Sequence, residues 1–138
     1  MFAISSKARY GLQAMIVLTR LHGQGLARTR DVAAEADIPQ QFLEQIFNQL
    51  VKAGIILSVR GKKGGYQLAQ APEQIDVLRI LEVLDGDIEL AKTKNSGDDA
   101  VDELLLRVES DLRQSFRITL AELTRRHEQL RCANMFYI

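Results

Sequence analysis

Apolar side chains at Ile4, Ala8, Leu12, Met15, Ile16 and Leu18, with Thr19 continuing the stripe, recur at close to a 3.6-residue period and predict a helix over residues 4–22. Gly23 and Gly25 end it. Thr29 suits the N-cap of a short second helix running to about Asp37, with Asp31 near its positive end. Pro39 suits the opening of a third helix, because its missing N–H would be unpaired there in any case. That helix is expected to reach about Ala53, with Leu43, Ile46, Phe47, Leu50 and Val51 facing inward and Gly54 stopping it. Two β-prone runs, Ile55–Val59 and Tyr66–Ala69, flank the turn Arg60-Gly61-Lys62-Lys63-Gly64-Gly65 and predict a hairpin. A short helix, a tight turn, a longer helix and then a hairpin follow the order of a winged helix-turn-helix.

Pro72 breaks the pattern, and Asp76 caps a fourth helix whose apolar positions Val77, Leu78, Ile80, Leu81 and Leu84 cover more than one face before Gly86 ends it. Residues 87–98 carry no clear period and read as a loop. From Asp99 a longer helix places Val101, Leu104, Leu105, Val108, Leu112 and Phe116 on a narrow stripe, which suits packing against another helix, a partner subunit's included. Thr119-Leu-Ala-Glu122 reads as a capping box for a last helix through about Arg131. The expected fold is mainly α, a winged helix-turn-helix with a two-stranded wing and a long C-terminal dimerisation helix. Residues 1–72 form the expected DNA-binding domain, and residues 73–138 the regulatory and dimerisation helices with a C-terminal tail.

Composition narrows the class. With 138 residues and 46% apolar side chains the chain can bury one core. The longest apolar run, Ala14 to Leu18, is too short to span a bilayer, so no membrane partner is expected. The first residues lack the pattern of a signal peptide, and the single Cys132 excludes an internal disulfide, so a reducing, cytoplasmic setting is expected. Net charge is zero but uneven: residues 1–72 hold nine Lys/Arg against four acids, and residues 73–138 hold nine against fourteen. The basic half is the one with the helix-turn-helix and the wing, and suits a polyanion.

Candidate chemistry lies in the same half. Gln40, Gln41, Glu44, Gln45 and Asn48 fall on the polar side of the third helix. Amides can bond adenine bidentately and a carboxylate can accept from the cytosine amino group in the major groove; the same positions also suit the solvated face of an amphipathic helix. Lys62 and Lys63 in the hairpin turn can neutralise phosphates, and Lys7, Arg9 and Tyr10 can add phosphate contacts from the first helix. Neither a nucleophile–base pair, nor metal-ligand spacing, nor a phosphate loop is visible, so neither enzyme activity nor a cofactor is expected. His22 and His127 read as structural or solvent-facing, and Cys132 as a partly buried packing thiol.

Three segments carry a family resemblance: Ser6-Lys7-Ala8-Arg9-Tyr10; Ile38 with Phe42-Leu43-Glu44-Gln45; and Val59-Arg60-Gly61-Lys62-Lys63-Gly64-Gly65-Tyr66. They resemble the Rrf-two family of winged-helix transcription regulators (the IscR/NsrR/CymR type), and the resemblance runs through essentially the whole chain. It implies a homodimer on a double-stranded DNA operator, with Glu44 and Gln41 contacting bases and Arg60 entering the minor groove. Cluster-bearing members place three cysteines in the loop after the fourth helix; residues 87–98 have none, so no iron–sulfur cluster is expected. Pro39 stands where relatives usually have a serine that can cap the third helix. The tail and the cysteine-poor middle are most similar to the branch that represses cysteine-metabolism genes. That likeness implies O-acetylserine (thiol)-lyase as a partner, met through Phe136, Tyr137 and Ile138; docking of the tail on the protein's own dimer is the alternative. Two other functions stay open, a thiol-redox regulator using Cys132 and an interaction adaptor that has lost DNA binding.

Overall fold

The computed structural model describes residues 3–90 and 99–135. Its elements in chain order are α1 (Ser6–Arg20), α2 (Thr29–Ala36), α3 (Gln40–Lys52), β1 (Ile56–Val59), β2 (Gly65–Leu68), a 3-10 turn (Pro72–Gln74), α4 (Val77–Asp85), α5 (Ala100–Ser115) and α6 (Leu120–Met135). The winged helix-turn-helix order predicted from the sequence is the order observed.

Helix ends follow local chemistry. Ser5 caps α1, its hydroxyl accepting from the Ala8 N–H at 3.0 Å, so the helix begins at Ser6 and not at Ile4. The Ser5 N–H and hydroxyl both donate to the Asp85 carboxylate, which fastens the start of α1 to the end of α4. Thr29 is the first helical residue of α2 and not its cap; Arg28 holds the cap position and offers no side-chain acceptor. Asp37 ends α2 with φ 54° and ψ 50°, a left-handed turn that aspartate tolerates better than most residues, and it redirects the chain so that Ile38 is buried ahead of α3. Pro39 opens α3 with no side-chain cap, as its lack of a hydroxyl requires.

One core runs through the molecule. Leu43, Ile46, Phe47 and Leu50 of α3 meet Ala8, Ala14, Met15, Val17 and Leu18 of α1, Val32 of α2 and Val77, Ile80, Leu81 and Leu84 of α4. Val51, predicted inward, is only half-buried at the edge of this cluster. The core therefore continues past Pro72, and α4 belongs to the same packed body as the helix-turn-helix.

The wing is antiparallel, with Ile56 opposite Leu68 and Val59 opposite Gly65. Its second strand also pairs with Ala27, whose N–H donates to Tyr66 O at 2.9 Å while the Tyr66 N–H returns to Ala27 O at 2.8 Å. The strand starts at Gly65, one residue before the prediction, because Gly65 pairs with Val59 across the turn.

Asp99 caps α5 by accepting from the Asp102 N–H at 2.8 Å. No residue of α5 is buried; Val101 is 65% exposed and Leu104 50%. The loop ahead of it is held by Arg113, which donates to Ile88 O at 2.9 Å, and by Glu109, which accepts from the Leu90 N–H at 3.0 Å. Thr119 caps α6 by accepting from the Glu122 N–H at 3.1 Å. Only that half of the predicted capping box forms, because the Glu122 carboxylate accepts from Arg125 and Arg126 instead. α6 runs on to Met135, a turn beyond the predicted stop at Arg131. Among the described residues no helix is long and apolar enough to cross a membrane.

Candidate nucleic-acid interface

α3 has two opposed faces. Its four buried side chains fix one side in the core, and the 3.6-residue repeat then turns Gln40, Gln41, Glu44, Gln45 and Asn48 outward over an arc of roughly 140°. All five are exposed. Phe42, at the edge of that arc, stays 45% exposed and lies against the Tyr10 ring with centroids 5.9 Å apart. This contact sets the first turns of α1 beside the start of α3, with Arg9 exposed and Lys7 and Tyr10 half-buried. The Tyr10 ring is thus partly occupied in packing, and what it can offer a phosphate is its hydroxyl.

The wing is set against the same helix. Phe47 in the core of α3 meets the Tyr66 ring of β2 with centroids 4.5 Å apart. At the tip, Arg60, Lys62 and Lys63 are exposed and form no ion pair among the described residues. The tip is tight enough to need glycine. A Cβ on Gly64 would stand 2.2 Å from Val59 O, and one on Gly65 2.6 Å from Ala27 O.

Between the tip and the start of α2 lies a concavity of about 430 Å³ bordered by Arg28, Thr29, Arg60 and Lys62. Arg28 was not among the sequence-predicted site residues. Its guanidinium Nη2 donates to the backbone oxygen of Lys62. Nothing in the sequence signals this, because the acceptor is a main-chain group 34 positions away.

The structure thus brings the predicted α3 residues together on one exposed face and leaves the wing cations unpaired. Phe136, Tyr137 and Ile138 lie outside the described residues. Cys132, expected to be partly buried, is exposed on α6, where every described residue from Gln129 to Met135 is exposed. Among the described residues no group of three or more His, Cys, Asp or Glu is placed to hold a metal.

Comparison with known proteins agrees with this geometry. The profile of the Rrf2 family, described as an iron-dependent transcriptional regulator, matches residues 4–126. The regulator CymR of Bacillus subtilis is 34% identical over 136 residues, covering 98% of this chain and 99% of that protein. IscR of Erwinia tasmaniensis is 31% identical over 134 residues, covering 92% of this chain and 81% of that protein. The solved structure of CymR, the global cysteine regulator of B. subtilis, superposes with a TM-score of 0.81 over 90% of this chain and 97% of that one at 34% identity. T. potens IscR superposes with a TM-score of 0.79 at 31% identity, over 94% of this chain and 90% of that one. The iron in the family's description does not fit the donors here: a thiolate-held cluster needs several cysteines, and one chain supplies Cys132 alone. With its helices, wing and sequence matched over nearly their full length, the chain belongs to the Rrf2 family of transcriptional regulators.

Proposed function

We propose that this regulator is a homodimeric repressor that reads a roughly palindromic DNA operator without an iron–sulfur cluster. The observation that carries the reading is the pairing of an exposed amide-and-carboxylate face on α3 with an unpaired cationic wing tip on the same body. Such a face offers donors and acceptors to base edges, and such a tip suits a narrow, electronegative minor groove. In this reading Gln40, Gln41, Glu44, Gln45 and Asn48 meet the major groove, and Arg60 the minor groove. Lys7, Arg9, Tyr10, Lys62 and Lys63 contact phosphates. Residues 1–72 carry recognition and residues 73–138 dimerisation and regulation, although the two share one core. The test is Arg60→Ala in fluorescence-anisotropy titrations with operator duplex. A loss of affinity supports the reading, and unchanged affinity favours an interaction adaptor.

Control of cysteine or sulfur genes is the target we favour, supported by the likeness to a regulator named for cysteine. An effector would act by shifting the population toward or away from the spacing that matches the two half-sites. O-acetylserine (thiol)-lyase is the proposed partner through Phe136, Tyr137 and Ile138, and removing those three residues should abolish its pull-down while sparing dimerisation. One observation favours a second reading: the exposed Cys132 thiol is open to oxidants. If it is a redox switch, Cys132→Ser abolishes peroxide-induced release from DNA; if it is not, release by peroxide is unchanged.

A further inference from the structure

We infer that Arg28 is a positioning residue that latches the wing tip to the start of α2 and so presents Arg60 at a fixed distance from α3. The inference rests on the groove-reading function proposed above and adds a residue and a mechanism to it.

The wing needs such a latch. Each of its strands has only four residues, and a lone two-stranded hairpin is marginal in water. Leu57, Ser58 and Val59 are all exposed, so packing holds β1 only at Ile56. The second strand is secured twice at Tyr66, by its ring contact with Phe47 and by its paired hydrogen bonds with Ala27. Neither contact is made by the turn Arg60 to Gly64 itself. Within the tip the Gly64 N–H donates to Gly61 O at 2.9 Å, which closes the turn on itself but does not tie it to the body.

Arg28 supplies the missing tie. It follows Ala27 directly, so the backbone that pairs with β2 also delivers the guanidinium to the Lys62 carbonyl. Among the described residues no other side chain is hydrogen-bonded to the turn Arg60 to Gly64. The guanidinium suits the task because it keeps its charge and spreads several donors in a plane; one can hold the carbonyl while others face the concavity shared with Arg60. A tip held in place before DNA arrives avoids the cost of ordering it on binding. Arg28 therefore acts on affinity through the placement of Arg60.

The test is a double-mutant cycle on duplex selected from a random-sequence library by the wild-type protein, with Arg28→Lys, Arg60→Ala and the pair together. Arg28→Lys keeps the positive charge and loses the planar fork. The expected loss for Arg28→Lys is about three- to tenfold, the size of one ordinary hydrogen bond. The double variant is expected to lose clearly less than the product of the two single losses, because most of what the latch places is Arg60. In the free protein, Arg28→Lys should raise amide exchange at Gly64, whose N–H closes the turn, and leave Tyr66 unchanged. Wild-type affinity for Arg28→Lys, losses that multiply in the double variant, or unchanged exchange at the tip would each overturn the latch. Unchanged binding by Arg60→Ala would instead overturn the groove-reading function itself.

Discussion

Glu44 is the only carboxylate on the outward face of α3, surrounded by four neutral amides. A carboxylate brought to DNA repels phosphates, so it gains only where a base offers an amino group to it. Glu44→Ala should therefore relax preference at one operator position by about 1–3 kcal/mol, read from competition among single-base operator variants. Lys63→Ala should weaken every variant alike and reduce the salt slope of the dimer by about 2, one phosphate contact per protomer. Equal losses across all variants for both substitutions would contradict the two roles. Glu44 was legible in the sequence because helical periodicity separates the core side of α3 from its polar side, and Lys63 because it stands in a glycine-rich turn between two β-prone runs. Arg28 was not, since its partner is a carbonyl that only the folded hairpin brings near. Glu122 shows the same limit. The expected box asked it to reach back to its cap, but Arg125 grips it with donor–acceptor distances of 2.9 and 2.6 Å and Arg126 adds a third bond at 3.1 Å. The Arg125 hydrogen bonds foremost, then Arg126, hold its carboxyl down to about 2 from an ordinary 4.5. A carboxyl depressed on folding stabilises the native state above its unfolded value, and that contribution is lost as pH falls from about 4.5 toward 2. A carboxyl-carbon NMR titration should place the Glu122 midpoint near 2, and Arg125→Ala should return it toward the usual carboxylate range.

At the scale of elements, what fixes α3 is its buried side. Phe47 is fully buried, packs on Tyr66 and so joins α3 to the wing. Phe47→Ala should cost about 3–5 kcal/mol in denaturant unfolding, the range for removing a buried aromatic ring. It should also weaken DNA binding at temperatures where the protein remains folded, because β2 loses its seat on α3 beside the turn. A loss confined to stability would show that the wing does not depend on this contact. Element types were readable from period and punctuation, whereas the start of β2 was set by pairing across the turn. β2 begins at Gly65 because that residue pairs with Val59, while α6 begins where its Thr119 cap predicts, and its Leu120 N–H adds a bond to Ile75 O at 2.8 Å. Arg20 links three helices, reaching Glu35 of α2 and Glu128 of α6 from the end of α1. All three side chains are substantially exposed, so solvent screening limits this fork to a minor share of stability.

For the whole molecule, the unresolved question in a lone chain is why α5 exists in this form. A sixteen-residue helix with no buried side chain and an apolar stripe through Val101, Leu104 and Val108 gains little from its own body, which holds it mainly through Leu112, Phe116 and the loop bonds to Glu109 and Arg113. Covering that stripe with the same stripe of a second copy satisfies both at once and sets two α3 helices on one rigid frame, as a two-fold symmetric operator demands. The substitution pair Leu104→Glu and Val108→Glu should then give a monomer in sedimentation at micromolar concentration. Helix content should be nearly unchanged, since both side chains are already exposed. Operator affinity should fall far more than it does for any single phosphate contact, and the dependence on salt should drop by about half, because each binding event then engages one half-site and releases half the counterions. A variant that stays dimeric would move the interface elsewhere, and a monomer with undiminished salt dependence would mean that one protomer spans the whole operator.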